Sequence, residues 1–352
     1  MVDLNELLAK LVEVGGSDLH ITVGMPPVMR INGSLVQGDG PRLMSRDTKE
    51  CIYSILSELQ RETFERNWEY DCAYTLPGVA RFRVNVYFQR NSVGAAFRYI
   101  PVQIKSFEEL RLPSALADLC DKPRGFVLVT GPTGSGKSTT LATMVDHINR
   151  TREVHIMTVE DPIEYLHQHK KSMVNQREVG ADTKSFSQAL KYILRQDPDV
   201  ILIGELRDLE TIQAALTAAE TGHLVLATVH TQDAAQTIDR IVDVFPPYQQ
   251  EQVRVQLAGT LQGILSQQLL PTVDGLSRVV ACEVLIPTSG VRNMIREGKT
   301  HQIPSAMQTG QQYGMVTMDH SLAELYRAGL VSLEIALQQA LDPNVLKTLL
   351  GR

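Results

Sequence analysis

One run of eight residues narrows what this chain can fold into more than anything else: Gly131-Pro132-Thr133-Gly134-Ser135-Gly136-Lys137-Ser138. It fits the pattern G-x-x-x-x-G-K-[ST] and follows the apolar run Phe126–Thr130. Leu141, Met144, Val145 and Ile148 come after it at helical spacing. A glycine loop between a strand and a helix curls backbone N–H groups around a phosphate, and the helix start adds its positive dipole end. Lys137 then neutralises the β- and γ-phosphates, the Ser138 hydroxyl takes a Mg²⁺ position, and Thr139 continues the cradle. The expectation is a nucleoside triphosphate site on a parallel α/β sheet.

The flanking pattern agrees. From Gly125 onward, strand-like runs alternate with helical stripes: Val154–Val159, then a helix on Phe186, Ala189, Leu190 and Ile193. Val200–Ile203, a helix on Ile212, Ala215, Leu216 and Ala219, and Leu224–Val229 follow. Such alternation is what a parallel sheet requires. After Gln249 the chain reads as mainly helical. The first hundred residues read instead as a mixed α/β unit. It has a helix on Leu4, Leu8 and Leu11, strands near Leu19–Val23 and Val28–Ile31, and a turn at Asn32-Gly33. One helix is expected from Thr48 to about Arg66, and strands from Cys72 to Tyr99. Pro101 and Pro113 bracket a linker, so the expected domains are 1–100 and 124–352, joined by 101–123.

Acids and histidines fall where a triphosphatase needs them. Val200–Ile203 is followed by Gly204-Glu205, a buried strand ending in a carboxylate that serves Mg²⁺ through water. The preceding strand ends in Glu160-Asp161-Pro162-Ile163-Glu164, three carboxylates that spacing alone does not rank. His223 and His230 flank the strand Leu224–Val229. His230 is placed to sense a γ-phosphate, whereas His223 equally suits a bond across a domain or subunit boundary.

Charge excludes some functions. The chain carries 34 Lys+Arg against 40 Asp+Glu, a net charge of −6. That opposes a nucleic-acid track, which wants a basic face. The total conceals residues 72–105, which hold Arg81, Arg83, Arg90, Arg98 and Lys105 and no acid. This is either a solvated basic strand face or a surface built to meet an anion. The four cysteines form no C-x-x-C pair, the start shows no signal-peptide pattern, and no apolar run is long enough to span a bilayer. Free thiols in a reducing cytosol are expected. No Asn-Lys-x-Asp guanine motif occurs.

These motifs in this order resemble the secretion and pilus ATPase superfamily: the phosphate loop, an acidic box (Glu160–Glu164), Gly204-Glu205, and a histidine box from Gly222 to about Pro246. Gly16-Ser17-Asp18-Leu19-His20-Ile21 is similar to the opening of the retraction branch. Val291-Arg292-Asn293-Met294-Ile295-Arg296-Glu297 is similar to its retraction signature, with Gly290 and Met294 departing from the commonest Ala and Leu. The four-cysteine zinc cluster and longer N-terminal region of the extension branch have no counterpart here. The resemblance implies a PAS-like N-terminal domain and a RecA-like ATPase domain with a largely helical C-terminal part, assembled as a homo-hexamer. It implies Glu164 as catalytic glutamate, Glu205 as the metal-side glutamate, and His223 and His230 in the histidine box. Arg81, Arg83, Arg98 and Arg111 would act on nucleotide phosphates, with 101–123 as a hinge. ATP and Mg²⁺ are the implied cofactors, and an inner-membrane pilus platform protein the implied partner. A nucleic-acid translocase, a non-hydrolysing nucleotide-gated module and an extension or secretion ATPase are the competing readings.

Overall fold

The computed structural model describes residues 3–31, 33–100 and 103–351. It divides into two compact units, one of residues 1–103 with 162–166, the other of 104–161 with 167–352.

In the first unit, α1 (Leu4–Glu13) starts at Asp3, whose side chain accepts from the Asn5 and Glu6 N–H groups. It buries Leu4, Leu8 and Leu11. Strands β1 (Asp18–Ile21), β2 (Val28–Ile31) and β3 (Ser34–Gln37) follow. Of the turn expected at Asn32-Gly33, Asn32 lies outside the described residues, and Gly33 takes a φ of 83°. The single helix expected from Thr48 to Arg66 is two, α2 (Ser45–Tyr53) and α3 (Glu58–Asn67). Ser57 and Gln60 cause the break. The Ser57 hydroxyl accepts from the Gln60 N–H, and Gln60 Oε1 accepts from the Ser57 N–H at 2.8 Å. That capping box opens a new helix, and it leaves Leu59 exposed while Ile52 and Leu56 are buried. Strands β4 (Glu69–Leu76), β5 (Ala80–Gln89) and β6 (Ser92–Ile100) complete an antiparallel sheet in the order β3-β2-β1-β6-β5-β4. Along β5, Ala80, Phe82, Val84 and Val86 point into the core, which turns Arg81 and Arg83 to the other face.

The second unit begins inside the segment read as a linker. Phe107, Leu112, Leu116, Leu119 and Cys120 pack in its core, the last three on α4 (Ala115–Cys120), while Pro101 and Val102 lie outside the described residues. Then come β7 (Gly125–Thr130), α5 (Lys137–Thr151), β8 (His155–Glu160), β9 (Met173–Glu178), α6 (Phe186–Ile193) and β10 (Val200–Ile203). Next are α7 (Leu209–Glu220), β11 (Leu224–Val229), α8 (Ala234–Asp243) and α9 (Pro247–Thr260). The part expected to be helical after Gln249 instead supplies two strands, β12 (Leu261–Pro271) and β13 (Arg278–Leu285). Helices α10 (Ser289–Arg296), α11 (Ile303–Gln308), α12 (Met318–Arg327), α13 (Leu333–Gln339) and α14 (Pro343–Leu349) follow.

The sheet order is β13-β12-β7-β11-β10-β8-β9, parallel throughout except for β13. β7, β10 and β11 are buried on both faces, as their unbroken apolar runs require. Val127, Val129 and Leu202 pack on one face with α4 and α5; Phe126, Leu128 and Ile203 pack on the other with α6 to α9.

Candidate active site

Adjacent parallel strands place their carboxyl ends side by side, and that edge is where α/β sheets bind ligands. The order β7-β11-β10-β8 therefore gathers the glycine loop after β7, His230 after β11, Glu205 after β10 and Asp161 after β8.

The loop's shape is fixed by its glycines and by β12. Gly131 has a φ of 143°, and a Cβ there would lie 2.3 Å from the Gln267 carbonyl oxygen and 2.6 Å from Ser135 Oγ. Gly134 and Gly136, at 78° and 91°, are also in the range that favours glycine. Ser138 and Thr139 sit in the first turn of α5, at the positive end of its dipole. Lys137 is buried, and its Nζ donates to the carbonyls of Gly131 (2.8 Å) and Pro132 (2.9 Å). The ammonium is thus held within the loop.

His230 links this lysine to the carboxylate. Its Nδ1 lies 3.5 Å from Lys137 Nζ, and its Nε2 lies 3.3 Å from Glu205 Oε1. Arg207 Nε is 2.7 Å from the same oxygen. Burial would push the Glu205 carboxyl up, but the hydrogen bond from Arg207 and the positive charge around it hold it below the ordinary carboxylate range. Gly204 permits this approach, because a Cβ there would stand 3.3 Å from both the Glu160 Cα and the Val159 carbonyl oxygen. In the acidic box, Glu160 accepts from Thr158 Oγ1 at 2.6 Å and Gln176 Nε2 at 3.1 Å. Asp161 and Glu164 are exposed, and Glu164 belongs to the segment 162–166 that groups with the first unit.

His223 is not brought to this edge. It precedes β11, at the opposite end of the strand from His230, with Nδ1 2.9 Å from the Ala218 carbonyl oxygen. Arg111 has a φ of 55° and lines a cavity of about 270 Å³ with Gly136, Thr139, Leu269 and Arg278.

In the first unit the three arginines are on strands. Arg83 and Arg98 are direct cross-strand partners, and Asp18 pairs with Arg98 from the other side. Asp18 Oδ1 accepts from Arg98 Nε at 2.9 Å. Burial raises the Asp18 carboxyl, and bonds from Ser17 and Arg98 bring it below its ordinary value. Arg81 Nη1 donates to Thr75 Oγ1 at 3.3 Å. The stretch that lacks acids in sequence thus receives one through sheet pairing.

Three groups at the second unit's edge escape a reading of motifs: Arg207, Arg278 and Gln267. Arg207 stands two residues beyond Glu205 and was within reach of the sequence; the other two come from β13 and β12, both read as helical.

A family model described as Type II/IV secretion system protein matches residues 101–328. The chain is 50% identical over 343 residues to the type IV pilus retraction ATPase PilT of Pseudomonas aeruginosa, covering 97% of this chain and 99% of that one. It is 51% identical over 314 residues to the twitching motility protein of Neisseria gonorrhoeae, covering 89% and 84%. The crystal structure of the pilus retraction motor PilT with bound ADP superposes with a TM-score of 0.93 at 51% identity, covering 99% of this chain and all of that one. Among the described residues no helix is long and apolar enough to cross a membrane. The chain belongs to the type II/IV secretion system protein family, on its pilus retraction ATPase branch.

Proposed function

We propose that this chain is the ATP-hydrolysing motor of type IV pilus retraction, working as a homo-hexamer on the inner face of the membrane. The observation that carries the chemistry is the chain of contacts Lys137–His230–Glu205 at the mouth of the glycine loop. A buried lysine and an ionised carboxylate joined through one imidazole suit a site that must report whether a γ-phosphate is present.

The residues fit Mg²⁺. The Ser138 hydroxyl and Glu205 carboxylate are hard oxygen donors. When bound, Mg²⁺ neutralises charge on the phosphates. Lys137 adds a fixed positive charge, the loop N–H groups bind phosphate oxygens, and the cavity beside Arg111 and Arg278 takes the nucleoside end. Glu164 acts as the base that orients water, and Arg81, Arg83 and Arg98 supply positive charge to the phosphates.

The retraction relatives support retraction over extension, and α10 carries the segment similar to the retraction signature. Val291 and Ile295 are buried, while Arg292 donates to the carbonyls of Ala258 and Gly259 at the end of α9. Asn293, Arg296 and Glu297 remain exposed for a partner in the pilus machinery. A deletion strain tests the reading. Excess surface pili without twitching is the expected result; bald cells would overturn it in favour of extension.

A further inference from the structure

Where a peptide of a phosphate loop presents its N–H to the phosphate, its carbonyl faces away, and a carbonyl turned into the protein needs a donor there. At Ser135 that donor is a side chain from a distant strand. Gln267 of β12 is 1% exposed, and its Nε2 donates to the Ser135 carbonyl at 2.6 Å. Its Oε1 accepts from Thr140 Oγ1, in the first turn of α5, at 2.9 Å. Both amide atoms are therefore used on the loop and the helix that follows it.

The peptide so held is the one before Gly136. In a trans peptide the C=O and N–H point in opposite directions, so fixing the Ser135 carbonyl toward β12 aims the Gly136 N–H into the loop. Nothing in the covalent chain guarantees that orientation. Gly136 has a φ of 91°, and glycine populates both signs of φ with similar ease. The residue that allows the required conformation also leaves the 135–136 peptide free to flip. Gln267 removes that freedom.

The geometry points to Gln267 as a positioning residue for nucleotide binding: it locks the Ser135–Gly136 peptide so that the Gly136 N–H faces the phosphate. Resting on nucleotide binding at this loop, the inference adds a residue that touches no phosphate and is 131 residues away from Gly136 in the chain. It also assigns β12 a task beyond packing.

The test is the affinity of the full chain for a fluorescent ADP analogue, with the melting temperature of the nucleotide-free protein measured alongside. Gln267→Met keeps the volume and removes both bonds. Gln267→Glu keeps the acceptor for Thr140 and removes the amide donor to Ser135, and it serves if the methionine variant does not fold. Ser266→Ala removes a neighbouring buried bond, Thr130 Oγ1 to Ser266 Oγ at 3.0 Å, and leaves the lock intact. Affinity is expected to fall about tenfold in Gln267→Met, about 1.4 kcal/mol, and at least as far in Gln267→Glu. Ser266→Ala should stay within about twofold while its melting temperature drops comparably. Wild-type affinity in either Gln267 variant, or an equal loss in Ser266→Ala, would overturn the lock. No binding by the wild type would overturn the nucleotide site itself.

Discussion

In the second unit, Lys137 opens α5 after the β7 loop while Glu205 and His230 follow β10 and β11, tens of residues apart in sequence, yet His230 stands 3.5 Å from Lys137 and 3.3 Å from Glu205. In the first unit, Arg81, Arg83 and Arg98 sit on two neighbouring antiparallel strands and spread along a sheet face. Strand direction accounts for the contrast. Parallel strands deliver all their carboxyl ends to one edge, so different loops converge there. Antiparallel strands alternate direction, so like groups line up side by side across the sheet. Placing Arg83 opposite Arg98 is unfavourable in isolation, and Asp18 relieves it. The parallel edge brings unlike groups to one point, whereas the antiparallel face spreads a row of arginines that Asp18 interrupts.

Arg81→Ala bears most heavily on that contrast. If the arginine row acts on nucleotide phosphates, ATP turnover falls by up to the order of 10³-fold, with affinity for an ADP analogue little changed. Unchanged turnover would make the row a solvated basic face. His230→Gln probes the other region. Turnover should fall roughly 10- to 100-fold, as for loss of a group that orients a ligand-binding residue, because Lys137 and Glu205 lose their link. Steady-state phosphate release measures both.

Glu283 is an exception to the rule that chemistry sits at the edge. It is a buried carboxylate on β13, and its Oε1 accepts from the Ala234 N–H at the start of α8 at 2.9 Å. Burial pushes its carboxyl up from 4.5 to about 7; the Ala234 N–H opposes the shift, Asp233 adds to it, the Met318 N–H at the start of α12 opposes it, and Asp319 adds to it. The folded state therefore holds a proton that the unfolded chain releases. Its stabilising contribution is complete below about pH 4.5 and lost as pH rises through about 7. Between pH 5 and pH 8 the wild type should lose stability relative to Glu283→Gln, on the order of 3 kcal/mol. Denaturant melts at the two pH values check this, and parallel curves would contradict it.

Much of the second unit could be read because its strands are continuous apolar runs punctuated by loops: Val200–Ile203 and Leu224–Val229 have the same bounds in the fold. β12 could not. α9 passes straight into it with no intervening loop, and Ser266 and Gln267 interrupt its apolar pattern while being fully buried. The partners that justify a buried glutamine are more than 120 residues away in sequence. The same holds for Arg98, whose acid is Asp18, 80 residues earlier. Long-range pairing set each of these outcomes, and local pattern does not carry it.

The central claim is that the converging edge hydrolyses ATP. Phosphate release by the wild type and by Glu205→Gln, with ADP-analogue binding measured on both, tests it most directly. Hydrolysis by the wild type, and binding without comparable turnover in Glu205→Gln, is the expected result. A wild type that binds nucleotide but releases phosphate no faster than Glu205→Gln would contradict it.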